Sequence, residues 1–118
     1  MRGMFNPGDV VQVFFPFAEG QTNQGATQGK DRPALVLTVP DADGDFVAVA
    51  LTSAGHHPNT LPLTAADGHS LRFNKASFVR ADKLFTFNTM GVIKKYGAVK
   101  TEFVHKVKKL MCPALGCK

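Results

Sequence analysis

Ala34-Leu35-Val36-Leu37-Thr38-Val39, Pro40-Asp41-Ala42-Asp43-Gly44-Asp45 and Phe46-Val47-Ala48-Val49-Ala50-Leu51-Thr52 follow one another without a gap. The outer segments are apolar and rich in β-branched residues, whereas the middle one concentrates Pro, Asp and Gly. The flanks suit a pleated, buried surface and the centre supplies the residues a chain reversal needs, so the segment reads as strand, turn, strand. The three aspartates resemble part of a calcium loop. The glycine is misplaced, however, and no Glu closes the loop at the required spacing, so no metal is expected there.

Upstream, Val10–Phe17 (VVQVFFPF) reads as another strand entered from Gly8-Asp9. Pro16 forces an end or an edge position because it has no N–H to give a ladder. Residues 18–31 contain no large apolar residue and three glycines, which predicts a long, polar, mobile loop. Downstream, short strand signals occur at Thr60–Leu63, Ser77–Arg80 and Leu84–Phe87. Phe103, Val104, Val107, Leu110 and Met111 then recur at helical spacing and predict a helix over 101–111. Thr101 is its expected N-cap, Glu102 suits the positive end of the dipole, Lys106, Lys108 and Lys109 suit the other end, and Pro113 is the expected stop. The expected fold class is mainly β (α+β): a small, strongly bent antiparallel sheet or barrel with one C-terminal helix.

At 118 residues, against about 150 per typical domain, one domain over 1–118 is expected. Hydrophobic residues at 44% and charged residues at 19% exclude disorder as the main state. No apolar run reaches the roughly 18 residues of a membrane span, and the N-terminus lacks an apolar signal core. A cytoplasmic location is the expectation. Cys112 and Cys117 are too few and too close for a disulfide scaffold, and reduced thiols are expected. The net charge of +5 is uneven. From Lys94 onward seven lysines face only Glu102, while residues 1–93 are nearly neutral. Such an excess attracts polyanions, but it also describes an ordinary solvated helix face.

More specific is a series of short motifs in order: Gly8-Asp9-Val10-Val11, Phe15-Pro16-Phe17, Lys30-Asp31-Arg32-Pro33-Ala34-Leu35-Val36-Leu37, Ala50-Leu51-Thr52-Ser53, Leu61-Pro62-Leu63 and Ser77-Phe78-Val79-Arg80-Ala81-Asp82-Lys83-Leu84. The series resembles the PemK/MazF family of toxin endoribonucleases from type II toxin–antitoxin pairs. The resemblance runs from about residue 7 to residue 111. It implies an SH3-like barrel and a homodimer that cuts single-stranded RNA, such as mRNA, without a metal or other cofactor. It also implies a cognate antitoxin that blocks the site. Fold alone does not establish cleavage, since related toxins on this fold bind a topoisomerase (gyrase), and a catalytically silent RNA-binding relative is a further alternative.

The resemblance assigns catalytic positions to Arg32, Thr52, Arg80 and Asp82. Each suits the chemistry. A guanidinium clamps phosphate through paired donors, and a hydroxyl can donate to phosphate oxygens. Arg80 and Asp82, two apart in a strand, project to the same face and can converge on one substrate or simply pair with each other. Gln28 and Lys30 before Arg32, and Ser53, His56 and His57 after Thr52, are the candidate RNA contacts. In one respect the chain departs from the family. Many members carry a Glu-Gln pair where this sequence has Thr27-Gln28, so a carboxylate is missing there. Glu19 lies earlier in the loop, and His56 or His57 could supply a proton that arginine cannot. Phe14, Phe15, Phe17, Phe73, Phe78, Phe85 and Phe87 are read as core rather than as base-stacking platforms.

Overall fold

The computed structural model describes residues 5–15, 30–53, 55–56, 58–69, 71 and 77–116. Its strands are β1 (Asp9–Phe15), β2 (Lys30–Val36), β3 (Asp45–Thr52), β4 (Thr60–Leu63), β5 (Gly68–His69), β6 (Ser77–Asn88) and β7 (Val92–Val99), followed by the helix α1 (Thr101–Ala114). The strands form one antiparallel sheet in the order β4-β6-β3-β2-β1-β7-β5. The mainly β class with a C-terminal helix is as the sequence predicts.

Alternation of side chains along β1, β2 and β3 divides the core between the two faces of the sheet. Val10, Leu35, Val49, Leu51 and Val79 point to one face, where Phe103, Val104 and Val107 of α1 cover them. Val11, Val13, Ala34, Val36, Ala48 and Ala50 point to the other and pack with Phe5 and Phe46. Successive residues alternate because the strand has a period of two. The turn at Asp41–Gly44 forms as expected: Asp41 Oδ1 accepts from the backbone N–H groups of Asp43 and Asp45, both at 2.9 Å. The three carboxylates approach one another at the surface, and Asp41 has a structural role as the acceptor that shapes the turn.

The Gly8-Asp9 motif is structural. Gly8 has φ 101°, and a Cβ there would meet Val99 O at 3.2 Å and Val104 Cγ2 at 3.4 Å. Only glycine allows this backbone to sit so close to α1. Asp9 follows it into the interior, with a side chain 7% exposed. It accepts from the Asn6 N–H at 2.9 Å and faces Lys95 Nζ at 3.4 Å. A buried carboxylate persists only with such partners.

Several local expectations are corrected. The polar loop lies outside the described residues for 18–29, but Lys30 and Asp31 already belong to β2, paired with Phe15 and Phe14. The two short signals at Ser77–Arg80 and Leu84–Phe87 are one strand, β6. The strand β7 had no sequence signal. Its lysines and Gly97 interrupt any alternation, and its pairing with β1 contains two register shifts. The helix N-cap is Lys100, without a side-chain cap, and Thr101 is the first helical residue. Pro113 lies inside the helix, which runs on to Ala114 because the Leu115 N–H donates to Met111 O at 2.9 Å. Proline in a last turn removes a single donor and leaves that closing bond intact. With the helix longer, its last turn contains no basic residue. Cys112 is disulfide-bonded rather than reduced, and the other cysteine, Cys117, lies outside the described residues. Among the described residues no helix is long and apolar enough to cross a membrane.

Near the junction of β5 and α1, Asp67 is held below the ordinary carboxylate range. Burial acts against this, but the Thr64 backbone N–H (2.9 Å) and hydroxyl (2.8 Å), with Lys106 and Lys100 nearby, outweigh it. A depressed folded-state pKa contributes stability above the unfolded value, lost as pH falls through the folded one. The prediction is a melting temperature that declines below about pH 4, with a shallower decline in Asp67→Asn. Thermal melts across acidic pH check it, and parallel declines would remove Asp67 from the acid response.

Candidate functional site

The register of the sheet brings three of the four expected catalytic residues to one face. In the β2–β3 ladder the last pair is Ala34 with Ala50. Two residues further on each strand stand Arg32 and Thr52, on the same face as those alanines and at the end of the sheet where the pairing opens. Thr52 pairs with Phe78 on β6, and Arg80 follows two residues later on an unbroken ladder in which it pairs with Thr60 of β4. Arg32, Thr52, Arg80 and Thr60 therefore line the sheet face opposite α1.

Asp82 joins them through Arg80. Arg80 Nε donates to Asp82 Oδ1 at 3.3 Å and Nη2 donates to Oδ2 at 3.2 Å, with side chains 14% and 26% exposed. Both readings of the pair thus describe one arrangement: the residues share a face, and they bind each other in the two-pronged geometry particular to arginine. A large bulge makes this possible. Val49 pairs with Leu84 and Leu51 with Val79, so Ala50 alone stands across from Arg80, Ala81, Asp82 and Lys83. The surplus length on β6 takes Arg80 and Asp82 out of the β3 ladder, while Arg80 keeps its pairing with Thr60 of β4, and such bulges re-aim side chains. On the β4 side, one step past the Thr60–Arg80 pair, the Ala81 N–H donates to Asn59 O at 3.0 Å.

The remaining candidates are less gathered. Ser53 is exposed beside Thr52, and His56 is exposed in the turn that follows. Lys30 opens β2, two residues before Arg32. Gln28 and His57 lie outside the described residues, as do Glu19 and Thr27. Phe85 and Phe87 are half-buried against the Phe46 side of the core, and Phe78 lies under the chain at Gly55, where a Cβ would come within 2.7 Å of Phe78 Cζ. Phe85 and Phe87 pack in the core, as expected, whereas Phe78 is half-buried opposite Thr52 and belongs to neither core cluster. Phe14 is not core either, being 44% exposed. Phe15's side chain, Phe17 and Phe73 are outside the described residues.

Among the described residues, the lysines of β7 and α1 are engaged or placed elsewhere. Lys95 pairs with Asp9, and Lys94 lies 4.9 Å over the Tyr96 ring. Lys106, Lys108 and Lys109 are exposed on α1, which packs on the other face of the sheet. The positive charge on that face comes from Arg32 and Arg80, with Asp82 as the carboxylate beside Arg80. Sequence reading missed Thr60 and Asn59, whose placement depends on which strand β4 pairs with. The Pro58-Asn59 turn dipeptide was the available signal.

This fold is similar to that of solved toxins. It superposes on an endoribonuclease from a mycobacterial species with a TM-score of 0.72 at 18% identity, covering 99% of this chain and 96% of that one. A mycobacterial endoribonuclease in complex with its cognate antitoxin gives 0.68 at 20% identity, with 96% of both chains covered. A MazE–MazF structure from Deinococcus radiodurans gives 0.69 at 23%, again with 96% of both covered. At these identities the likeness establishes the fold. No curated protein matches the chain. The family model for the PemK-like, MazF-like toxin of type II toxin–antitoxin systems matches residues 6–115, a span that takes in every strand, the Arg80–Asp82 bulge and α1. The chain belongs to the PemK-like, MazF-like toxins of type II toxin–antitoxin systems.

Proposed function

We propose that this toxin is a metal-independent endoribonuclease that cuts single-stranded RNA, such as mRNA, at specific sequences. The observation that carries the reading is the meeting of Arg32, Thr52 and Arg80 on one sheet face, with Asp82 held against Arg80. A ribose 2′-OH attacks the adjacent phosphorus, its proton passes to a base, and the P–O5′ bond breaks as the 5′-oxygen takes a proton. The products are a 2′,3′-cyclic phosphate and a 5′-hydroxyl.

Each residue has a part its chemistry permits. Asp82 keeps lone pairs beyond the two contacts with Arg80, so it can accept the 2′-OH proton while held in place. Arg80 has N–H donors beyond those given to Asp82 and can bind the phosphate oxygens as charge develops on them. Arg32 adds a second cation at the same end of the sheet, and the Thr52 hydroxyl donates to the phosphate. Neither arginine is a useful acid at neutral pH, which leaves the leaving-group proton to His56, His57 or water. Gln28, Lys30 and Ser53 contact the RNA around the reacting bond. With two guanidiniums supplying the charge, that of Arg80 held by Asp82, and a single carboxylate in the group, the donor set suits phosphate binding by the protein itself. We place the toxin in the cytoplasm as a homodimer of single-domain chains, restrained by a cognate antitoxin. The antitoxin-bound relatives support that partner, and an acidic disordered tail laid across the arginines would compete with RNA.

The mechanism is tested by replacing single 2′-hydroxyls of a cleaved RNA with hydrogen. Loss of cleavage at the position 5′ to the scissile phosphate, and nowhere else, is the expected result; cutting of the deoxy bond would rule out 2′-OH attack. His56→Ala with His57→Ala is expected to flatten the near-neutral part of the pH–rate profile, and an unchanged profile would assign the proton to water. If a folded, antitoxin-free toxin leaves every RNA intact, the protein-binding toxin on this fold becomes the reading.

A further inference from the structure

We infer that Asn59 is a positioning residue for the proposed RNA cleavage: its left-handed backbone fixes the corner that holds Arg80 and Asp82 in register. The inference rests on the nuclease reading for its consequence, but its structural part stands on separate observations.

Among the described residues Asn59 is the one non-glycine position with positive φ, at 61°. It stands immediately before β4, whose ladder with β6 runs Thr60–Arg80, Leu61–Val79, Pro62–Phe78 and Leu63–Ser77. One further step in that register sets Asn59 opposite Ala81, and the Ala81 N–H donates to its carbonyl at 3.0 Å. Ala81 is the residue between Arg80 and Asp82, and it is fully buried. On its other side the β3 ladder is broken by the bulge, in which Ala50 alone faces Arg80–Lys83. A buried amide needs a partner, and the Asn59 carbonyl is the one it has.

The left-handed turn then does two things. It ends the β4 ladder at the residue that anchors the bulge, and it leads away from the turn carrying His56. Asparagine tolerates this conformation, glycine adopts it freely, and a β-branched residue resists it. If valine pulls residue 59 toward an extended conformation, its carbonyl turns away from Ala81. Arg80 and Asp82 then lose the backbone point between them, while Arg32 and Thr52, on β2 and β3, keep theirs.

The test compares Asn59→Gly, Asn59→Ala and Asn59→Val at a temperature where melting curves show every variant folded. Two readouts are taken: kcat and KM for RNA cleavage, and the Arg80 Nε–H proton resonance, which reports the bond to Asp82 without any substrate. Glycine is expected to leave both near wild type. Valine is expected to lower kcat by about tenfold or more with a smaller change in KM, and to shift the Nε–H resonance; alanine falls between. If valine cuts as fast as wild type, or if glycine loses as much as valine, the backbone role is wrong; the second result would assign the effect to the amide side chain. If the wild-type protein cuts no RNA but the resonance follows the series, the nuclease reading fails and the positioning role stands. An Nε–H resonance unchanged across the series overturns the positioning role whatever the cleavage result.

Discussion

Arg80→Ala is expected to cut RNA at least about 100-fold more slowly than wild type in kcat/KM, the loss typical of removing a preorganised charge stabiliser. Two deficits add in this variant. The phosphate loses a cation fixed on the sheet, and Asp82 loses both of its contacts from Arg80, at 3.3 and 3.2 Å. A carboxylate freed on a half-buried strand turns toward water and away from the reacting hydroxyl. Arg80→Lys separates the parts. A lysine ammonium restores the charge but cannot engage both Asp82 oxygens through a planar fork, so it is expected to recover only part of the rate. Full activity in the lysine variant would show that charge alone suffices and the two-pronged pairing is dispensable. The effect on folding should be small, because a partly exposed ion pair contributes little to stability. Melting temperatures close to wild type for both variants check that the rate loss arises from chemistry.

Phe103→Ala is the substitution expected to cost the most stability. Phe103 is 2% exposed and sits where α1 meets Val10, Leu35, Leu51 and Val79. Truncating a buried phenylalanine removes its burial and leaves a void the surrounding strands cannot fully close, typically about 3–5 kcal/mol. For a small domain whose whole stability is about 5–15 kcal/mol, that brings the protein near unfolding. Phe14→Ala is the control, since an exposed side chain of the same size should change stability by about 0.5 kcal/mol or less. Urea denaturation measures both. A loss under about 1 kcal/mol for Phe103→Ala, well below the usual cost of such a truncation, would mean that α1 does not hold the sheet as described.

How far the sequence was readable follows from which forces are local. Val10–Phe15, Ala34–Val36 and Phe46–Thr52 were legible because burial on both faces makes such strands near-continuous apolar runs, and because Asp41–Gly44 is a strong turn. The strand β6 was read as two pieces since Arg80-Ala81-Asp82-Lys83 interrupts it with charge. The charged members of that stretch sit where the bulge breaks the β3 ladder, and a bulge is visible only once β3 is paired alongside. The strand β7 escaped notice for a similar reason. Its lysines are engaged by Asp9 and Tyr96, contacts made across the fold or along the strand that no hydrophobic period records. The helix face was legible from Phe103, Val104 and Val107, but its end was not. Pro113 was given the weight of a stop although a last turn can lose one donor and still close.

At the site, the shared face of Arg80 and Asp82 followed from a spacing of two, and Thr52 from its place at a strand end. Motif order singled out Arg32, but its neighbourhood with Thr52 required the β2–β3 register. Asn59 and Thr60 could not be reached, because they matter only through the pairing of β4 with β6. The lysines of α1 mislead in the opposite direction. They dominate the charge of the sequence, yet the helix packs on the face away from Arg32 and Arg80.

The most direct measurement is incubation of a long single-stranded RNA with purified, antitoxin-free toxin in excess EDTA, beside Arg80→Ala, followed by identification of the fragment ends. Discrete fragments ending in 2′,3′-cyclic phosphate or its 3′-phosphate hydrolysis product, with 5′-hydroxyl partners, absent with Arg80→Ala, are the predicted result. Intact RNA with a folded toxin, or fragments that form equally with Arg80→Ala, would contradict the assignment of this sheet face to metal-independent RNA cleavage.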